Sequence, residues 1–270
     1  MSSVEQLIEK ARIAQQVYEK YDQGAVDEVV TAVAWALIEP GRNRELSKMA
    51  VETTGLGKIE DKILKNERKT LGLLRDLRGA KSVGVISEDE ELGITEIARP
   101  VGVVAAVTPS TNPVATPTNN TLNALKGRNA IIIAPSPAGE KVCSRLLQYF
   151  HEELRRIGAP VDLIQQLSSP VDKIRTLELM KLADWLIVTG SQSNVRAAYS
   201  SGTPAIGVGA GNVTVIVDET ADLDGAAFKI MKSKTFDHAT SCSSENALVV
   251  VDQIYDCLLY TSPSPRDLAR

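Results

Sequence analysis

Ala130-Ile131-Ile132-Ile133-Ala134 is apolar at every position and is closed by Pro135-Ser136-Pro137. A strand with one wet face alternates apolar and polar side chains. A strand with none is buried on both faces, as in a parallel sheet covered by helices. Working outward from this run, β-branched stretches alternate with helix-period ones. Upstream lie an apolar run over 97–107 and a helix near 114–125. Downstream come a helix over 138–157, a strand over 161–167, a helix near 172–182, a strand over 185–188, a helix near 193–200 and a strand over 205–208. This alternation predicts an α/β fold on a doubly wound, mostly parallel sheet. Ligands of such sheets bind beyond the carboxyl ends of the strands.

The first third is helical instead. Val4, Leu7, Ile8, Ala11, Ala14, Val17, Tyr18 and Tyr21 recur at helical spacing. A second helix is expected over 25–38, stopped by Pro40-Gly41, and two more near 44–54 and 59–77, with Gly55-Leu56-Gly57 as the break. Their apolar stripes are read as core-facing. Beyond a strand over 213–217, a helix near 223–232 leads to a polar loop and a strand over 247–251. No further strand follows, so this last one is expected to stand with open edges. Segment 257–270 contains Thr261-Ser262-Pro263-Ser264-Pro265-Arg266-Asp267 and is expected to be disordered or non-native.

Composition narrows the function classes. With 43% hydrophobic and 24% charged residues, the 270-residue chain reads as an ordinary globular protein. A net charge of -4, with no basic stripe interleaved with aromatics, argues against nucleic-acid binding. Three widely spaced Cys and two His suggest neither a disulfide framework nor a metal site. The start, Met1-Ser2-Ser3-Val4-Glu5, lacks the features of a signal peptide, and no apolar run approaches the roughly 20 residues that span a bilayer. A cytoplasmic protein without membrane partners is expected.

Four motifs carry chemistry. Cys242 sits in Phe236-Asp237-His238-Ala239-Thr240-Ser241-Cys242-Ser243-Ser244-Glu245. A thiol in such a loop is placed to attack a carbonyl carbon, although a lone Cys also packs as a small hydrophobe. Thr108-Pro109-Ser110-Thr111-Asn112-Pro113 ends an apolar strand, where Asn112 either shapes a turn or donates its amide to an oxyanion. Thr189-Gly190-Ser191 ends another strand and opens a helix, a place that suits a cap or a phosphate. Gly207-Val208-Gly209-Ala210-Gly211 is followed by a strand rather than a helix, so it fits a tight connection better than a G-x-G-x-x-G fingerprint, with close approach of a ligand to its backbone as the alternative. His238 and Glu245 lie near Cys242, where each either assists proton transfer or is merely solvated.

In this order the motifs resemble the aldehyde dehydrogenase superfamily, over roughly residues 1–256. Asn112 matches its oxyanion Asn, Thr189-Gly190-Ser191 its turn along the nicotinamide cofactor, and Cys242 its catalytic thiol. The chain is most similar to the CoA-acylating branch in Thr111-Asn112-Pro113, Arg128-Asn129-Ala130-Ile131-Ile132, Pro204-Ala205-Ile206-Gly207-Val208-Gly209-Ala210-Gly211-Asn212 and Ser233-Lys234-Thr235-Phe236-Asp237. Hydrolytic members carry a Glu that activates water; Gly207 falls at that position here. Nor does Ile133-Ala134-Pro135-Ser136-Pro137 offer the Lys that holds the adenosine ribose in hydrolytic members.

The resemblance implies oxidation of a small aldehyde to an acyl-CoA, with NAD or NADP as cofactor and coenzyme A as co-substrate. Cys242 and Asn112 are the expected catalytic residues, and Thr108, Pro109, Thr189, Gly190, Ser191 and Gly209 the expected cofactor contacts. The expected division is 1–237 for the helices and dinucleotide-binding domain, 238–256 for the start of a catalytic domain, and 257–270 for the tail. Family members run on past Val251 and oligomerise, so a truncated, inactive reading frame of a homo-oligomeric enzyme is expected. The alternatives are a dinucleotide-binding fragment without turnover and a hydrolytic enzyme that releases free acid.

Overall fold

A computed structural model describes residues 2–209 and 211–262. Four helices lead: α1 (Ser3–Tyr18), α2 (Gln23–Ile38), α3 (Pro40–Thr54) and α4 (Ile59–Leu77). Ser2 and Glu5 close a capping box on α1, and Asp22 caps α2 through the Ala25 N–H at 2.8 Å. α2 ends at Ile38 as expected, and after the shared cap residue Glu39 it is Pro40 that opens α3, ahead of the expected start near 44, where its missing N–H and fixed φ suit a first helical turn.

A hairpin follows, β1 (Gly84–Asp89) and β2 (Ile94–Ala98), paired antiparallel. The run read over 97–107 is therefore two strands: it breaks after Ala98, and β3 spans Val103–Thr108. The hairpin lies largely exposed, with Val85, Ile94 and Ile97 open to solvent, so no buried face imposes an alternating pattern on its sequence.

The rest alternates as the sequence predicts: α5 (Ala115–Lys126), β4 (Ala130–Pro135), α6 (Glu140–Arg156), β5 (Ile164–Gln166), α7 (Lys173–Leu182), β6 (Trp185–Thr189), α8 (Gln192–Tyr199) and β7 (Ala205–Val208). The five strands form one parallel sheet in the order β5-β4-β3-β6-β7. All positions of β3 and β4 are buried, so the apolar run from which the fold is read lies at the centre of the core. α5 and α6, backed by α2, cover one face, while α7 and α8 pack together beside α1. Successive strands run outward from β3 in one direction and then, from β6, in the other. The reversal between β3 and β6 opens the crevice in which doubly wound sheets bind ligands.

β8 (Val213–Val217) leaves this sheet and pairs in parallel with β9 (Glu245–Val250), across α9 (Leu223–Thr235). The expectation of an unpaired last strand is thus corrected: Thr214 faces Ala247 and Val217 faces Val250. A further helix, α10 (Asp252–Thr261), packs on α9. It buries Leu258 with Val217 and Ala227, so the first residues of the expected disordered tail are helical. Residues 263–270 of that tail lie outside the described residues. Among the described residues, no helix is long and apolar enough to cross a membrane.

Candidate active site

β3 and β6 end side by side, with Val107 in register with Val188. Their extensions, 109–112 and 189–191, therefore open into the same crevice. There a cavity of about 700 Å³ is lined by Pro109, Asn112, Thr189, Gly190, Ser191, Gly209 and Cys242. A second, of about 420 Å³, continues from the shared wall of Pro109 and Thr189-Gly190-Ser191 past Thr108 toward Ser136 and Asp172. The two together take in every catalytic and cofactor position expected from the sequence. His238 and Glu245 line neither; Glu245 instead opens β9 with Oε2 buried and unpartnered.

Cys242 is exposed to the cavity, whereas Cys143 is buried in the core, where burial pushes its thiol pKa far up. The Asn112 side chain makes no hydrogen bond to any described residue, and its Oδ1 is buried without a partner. A buried amide oxygen without a donor is destabilising by about 1–3 kcal/mol, and with no hydrogen bond made by Nδ2 either, that donor is left for a ligand. Asn119 Oδ1 and Asn120 Nδ2 are likewise unpaired in this cavity, and in the second one Thr108 Oγ1 is buried and unpaired.

The Cys242 loop is anchored from outside the sheet. Asp237, fully buried, accepts hydrogen bonds from the Lys58 N–H at 3.0 Å, Lys62 Nζ at 3.2 Å, Lys65 Nζ and Thr240 Oγ1 at 2.6 Å. Its own N–H donates to Asp61 Oδ2 at 2.8 Å. Lys62 also donates to the Thr111 carbonyl at 3.3 Å, so one ammonium joins the Cys242 loop to the segment that carries Asn112. Asp237, His238 and Ala239 all have left-handed φ (49°, 52° and 57°). Each such non-glycine residue is unfavourable by roughly 1–2 kcal/mol, and persists because the buried ion cluster holds it. Gly57, at φ 79°, lets α4 approach: a Cβ there would lie 1.9 Å from Asp237 Oδ1.

Leu73, Leu74 and Leu77 of α4 pack against the core as expected of an apolar stripe, but the helix buries a second face more deeply. Its buried residues are Lys62, Lys65, Asn66 and Thr70, and the face they form is polar. Burial lowers the Lys65 pKa, against the opposing pull of Asp237. For Asp237, burial alone would raise the pKa, but Lys65, Thr240 and Lys62 outweigh it and hold the carboxyl below the usual range.

A model of the aldehyde dehydrogenase family matches residues 1–261. The chain belongs to that family. The sulfoacetaldehyde dehydrogenase (acylating) of Cupriavidus necator is 59% identical over 257 residues, covering 95% of this chain and 52% of that protein. Among solved structures, an acetylating aldehyde dehydrogenase from Geobacillus thermoglucosidasius superposes with a TM-score of 0.91 at 42% identity, over 96% of this chain and 57% of that one. The propionaldehyde dehydrogenase of Rhodopseudomonas palustris with bound propionyl-CoA superposes at 0.84 with 30% identity, over 97% and 57%. The chain spans about half the length of the curated relatives it matches.

Within this aldehyde dehydrogenase chain, three features of the cavity escape the sequence reading. Lys69 reaches it from α4, and Gln192 from the start of α8. Thr116, Asn119 and Asn120 line it from α5. The last set was legible: Asn112, Thr116 and Asn119-Asn120 recur at i, i+4 and i+7/i+8, a polar stripe beside the buried Leu122 and Leu125. Lys69 carried no such signal, since a lysine on a charged helix reads as solvated.

Gly207 lies in β7 and donates its N–H to the Tyr199 hydroxyl at 3.0 Å. A Cβ at this position would stand 2.6 Å from Val195 Cγ1 and 3.0 Å from the Tyr199 ring. α8 closes over the position, so even the first atom of a side chain has no room. No Asp, Glu or His is among the described residues that line the Cys242 cavity.

Proposed function

We propose that the chain carries the nucleophile, oxyanion and dinucleotide portion of a CoA-acylating aldehyde dehydrogenase acting on a short aldehyde. The observation that carries this is that Cys242 and Asn112, whose side chain is uncommitted, line one cavity with no carboxylate among the described residues around it. A dinucleotide suits the residues present: two cavities share the Thr189-Gly190-Ser191 wall, and the orphaned Thr108 hydroxyl sits in the farther one. Thr108, Pro109, Thr189, Gly190, Ser191 and Gly209 would hold it. Bound NAD or NADP supplies the hydride acceptor.

The chain's own residues do the remainder. The Cys242 thiolate adds to the carbonyl carbon, and the π pair moves to oxygen. Asn112 Nδ2 and the Cys242 backbone N–H donate to that developing oxyanion. Loss of hydride re-forms the C=O as a thioester on Sγ. Water is a poor attacker there without a base, and Gly207 supplies none. A CoA thiolate attacks instead, Cys242 leaves as thiolate, and the CoA proton passes to solvent.

The test is NADH formation from a short aldehyde with and without CoA, with product analysis and a cofactor titration on the same sample. We expect CoA-dependent turnover that Cys242→Ala abolishes. Turnover that survives Cys242→Ala, or free acid made without CoA, overturns the reading. A second reading follows from the share of its relatives that the chain spans: dinucleotide binding without turnover, recognised by a saturable titration and no NADH.

A further inference from the structure

Behind the Cys242 loop lies a third cavity, of about 360 Å³, whose walls include Lys65, Arg68 and Lys69 of α4 and Lys229 and Lys232 of α9. No carboxylate is among the described residues that line it. Asp237 is already taken by Lys62 and Lys65, so it neutralises none of the others. Arg68, Lys69, Lys229 and Lys232 form no ion pair among the described residues, in a chain that is acidic as a whole. Such a concentration of like charge is unfavourable unless an anion enters. Lys69 and Ser241 line both this cavity and that of Cys242, so the two meet beside the thiol.

We propose that this cationic cavity seats the anionic end of the aldehyde substrate, with Lys69 as the residue that sets specificity. This rests on the reading that Cys242 receives the aldehyde. A short aldehyde with a terminal oxyanion spans the shared wall, its carbonyl at Cys242 and its charge among the ammonium groups. The donors are four lysines and four serine hydroxyls, with a single guanidinium. Ammonium point charges and hydroxyls can each take one oxygen of a tetrahedral sulfonate without the planar bidentate match that a guanidinium fork provides. The dinucleotide cavity extends from the opposite wall, past Thr189-Gly190-Ser191, and leaves this one free.

Alkylation of Cys242 tests this without turnover or cofactor. In a Cys257→Ser background the remaining cysteine, Cys143, is buried, so Cys242 is the exposed thiol. 2-Bromoethanesulfonate carries its sulfonate as far from the electrophilic carbon as a two-carbon sulfonated aldehyde does; 2-bromoethanol is the neutral reference. Relative to free N-acetylcysteine amide, Cys242 is expected to prefer the sulfonate by about 10-fold or more, a preference screened by salt. Lys69→Met lowers the preference severalfold and Lys69→Glu lowers it further, Arg68, Lys229 and Lys232 keeping the remainder. Lys69 is exposed, so both variants keep the wild-type melting temperature. A Cys242 that shows no preference over the free thiol, or one unchanged in Lys69→Met, overturns the proposal. Protection by adenosine 3′,5′-bisphosphate but not by ethanesulfonate also overturns it, assigning the cavity to a phosphate of CoA. These outcomes are separable from NADH formation, which tests the function itself.

Discussion

Lys62 Nζ stands 3.2 Å from Asp237 Oδ2, across 175 residues of sequence, and neither side chain is more than 4% exposed. With Lys65 this pair ties α4 to the turn that leads to Cys242. Through the Thr111 carbonyl it reaches the segment that ends in Asn112. Breaking such a pair leaves uncompensated charge in a dry site, which is strongly destabilising.

Asp237→Asn keeps the shape and tolerates left-handed φ, but strands two buried ammonium groups. We expect a loss of about 3–5 kcal/mol in urea unfolding, recovered in large part when Lys62→Met and Lys65→Met are added. A loss below about 1 kcal/mol would mean that solvent already screens the cluster.

The same carboxyl makes stability depend on acid. Its folded pKa lies below the unfolded value of about 3.9, so its contribution is complete above roughly pH 5 and disappears as pH falls through the folded pKa. The melting temperature should drop more steeply from pH 5 toward pH 3 in wild type than in Asp237→Asn. Parallel curves would assign acid lability to other carboxylates.

Thr108→Val removes a buried hydroxyl that has no partner. Fold stability should hold or rise slightly, since an unsatisfied group is lost, while dinucleotide affinity falls by about 5- to 50-fold, the worth of one or two hydrogen bonds. Melting curves and a fluorescence titration on one sample separate the two effects.

Gly207→Glu should not turn the protein into a hydrolase. Overpacking against Val195 and Tyr199 predicts a destabilisation of about 1–3 kcal/mol and no acid formed without CoA. Adding Val195→Ala to make room should restore stability in part. Free acid from the single variant is the result that sinks this account.

Asn112→Ala, in the chain extended to the length of its relatives, should lower kcat by about a hundred- to a thousand-fold with KM little changed. Stability should hold or rise slightly, because the amide bonds to nothing in the folded chain and its buried oxygen is unsatisfied. A change in KM alone would make Asn112 a binding rather than an oxyanion residue.

The sheet was legible because burial writes itself into composition. Ile131, Ile132 and Ile133 are apolar on both faces, as a strand covered on both sides must be, and α5 through α8 fall where the period changes. The hairpin at Gly84–Asp89 and Ile94–Ala98 was missed for the converse reason: a segment that buries neither face keeps no period. Asn112 and Thr189-Gly190-Ser191 could be placed near one another from sequence because they follow strands of one parallel sheet, whereas Cys242, in the loop ahead of Glu245–Val250, was singled out by its chemistry and joins them in one cavity only through packing.

What sequence order could not carry was contact between distant charges. Nothing local marks Lys62 and Lys65 as buried, or Asp237 as their partner; on α4 they read as solvated positions, and only packing against the 237–240 turn makes them interior. Lys69 likewise became part of the Cys242 cavity when α4 and the loop were brought together. Pairing of Val213–Val217 with Glu245–Val250 also waited on the tertiary structure, because a parallel partner is chosen across an intervening helix. The sequence by itself determined the parallel sheet, its helices and the loop that carries the thiol, since hydrophobic period and turn chemistry act over a few residues. The tertiary structure alone decided which charges are dry, which strand closes the second sheet, and that a side chain at Gly207 has nowhere to go. Those outcomes depend on desolvation and steric contact between segments far apart in the chain.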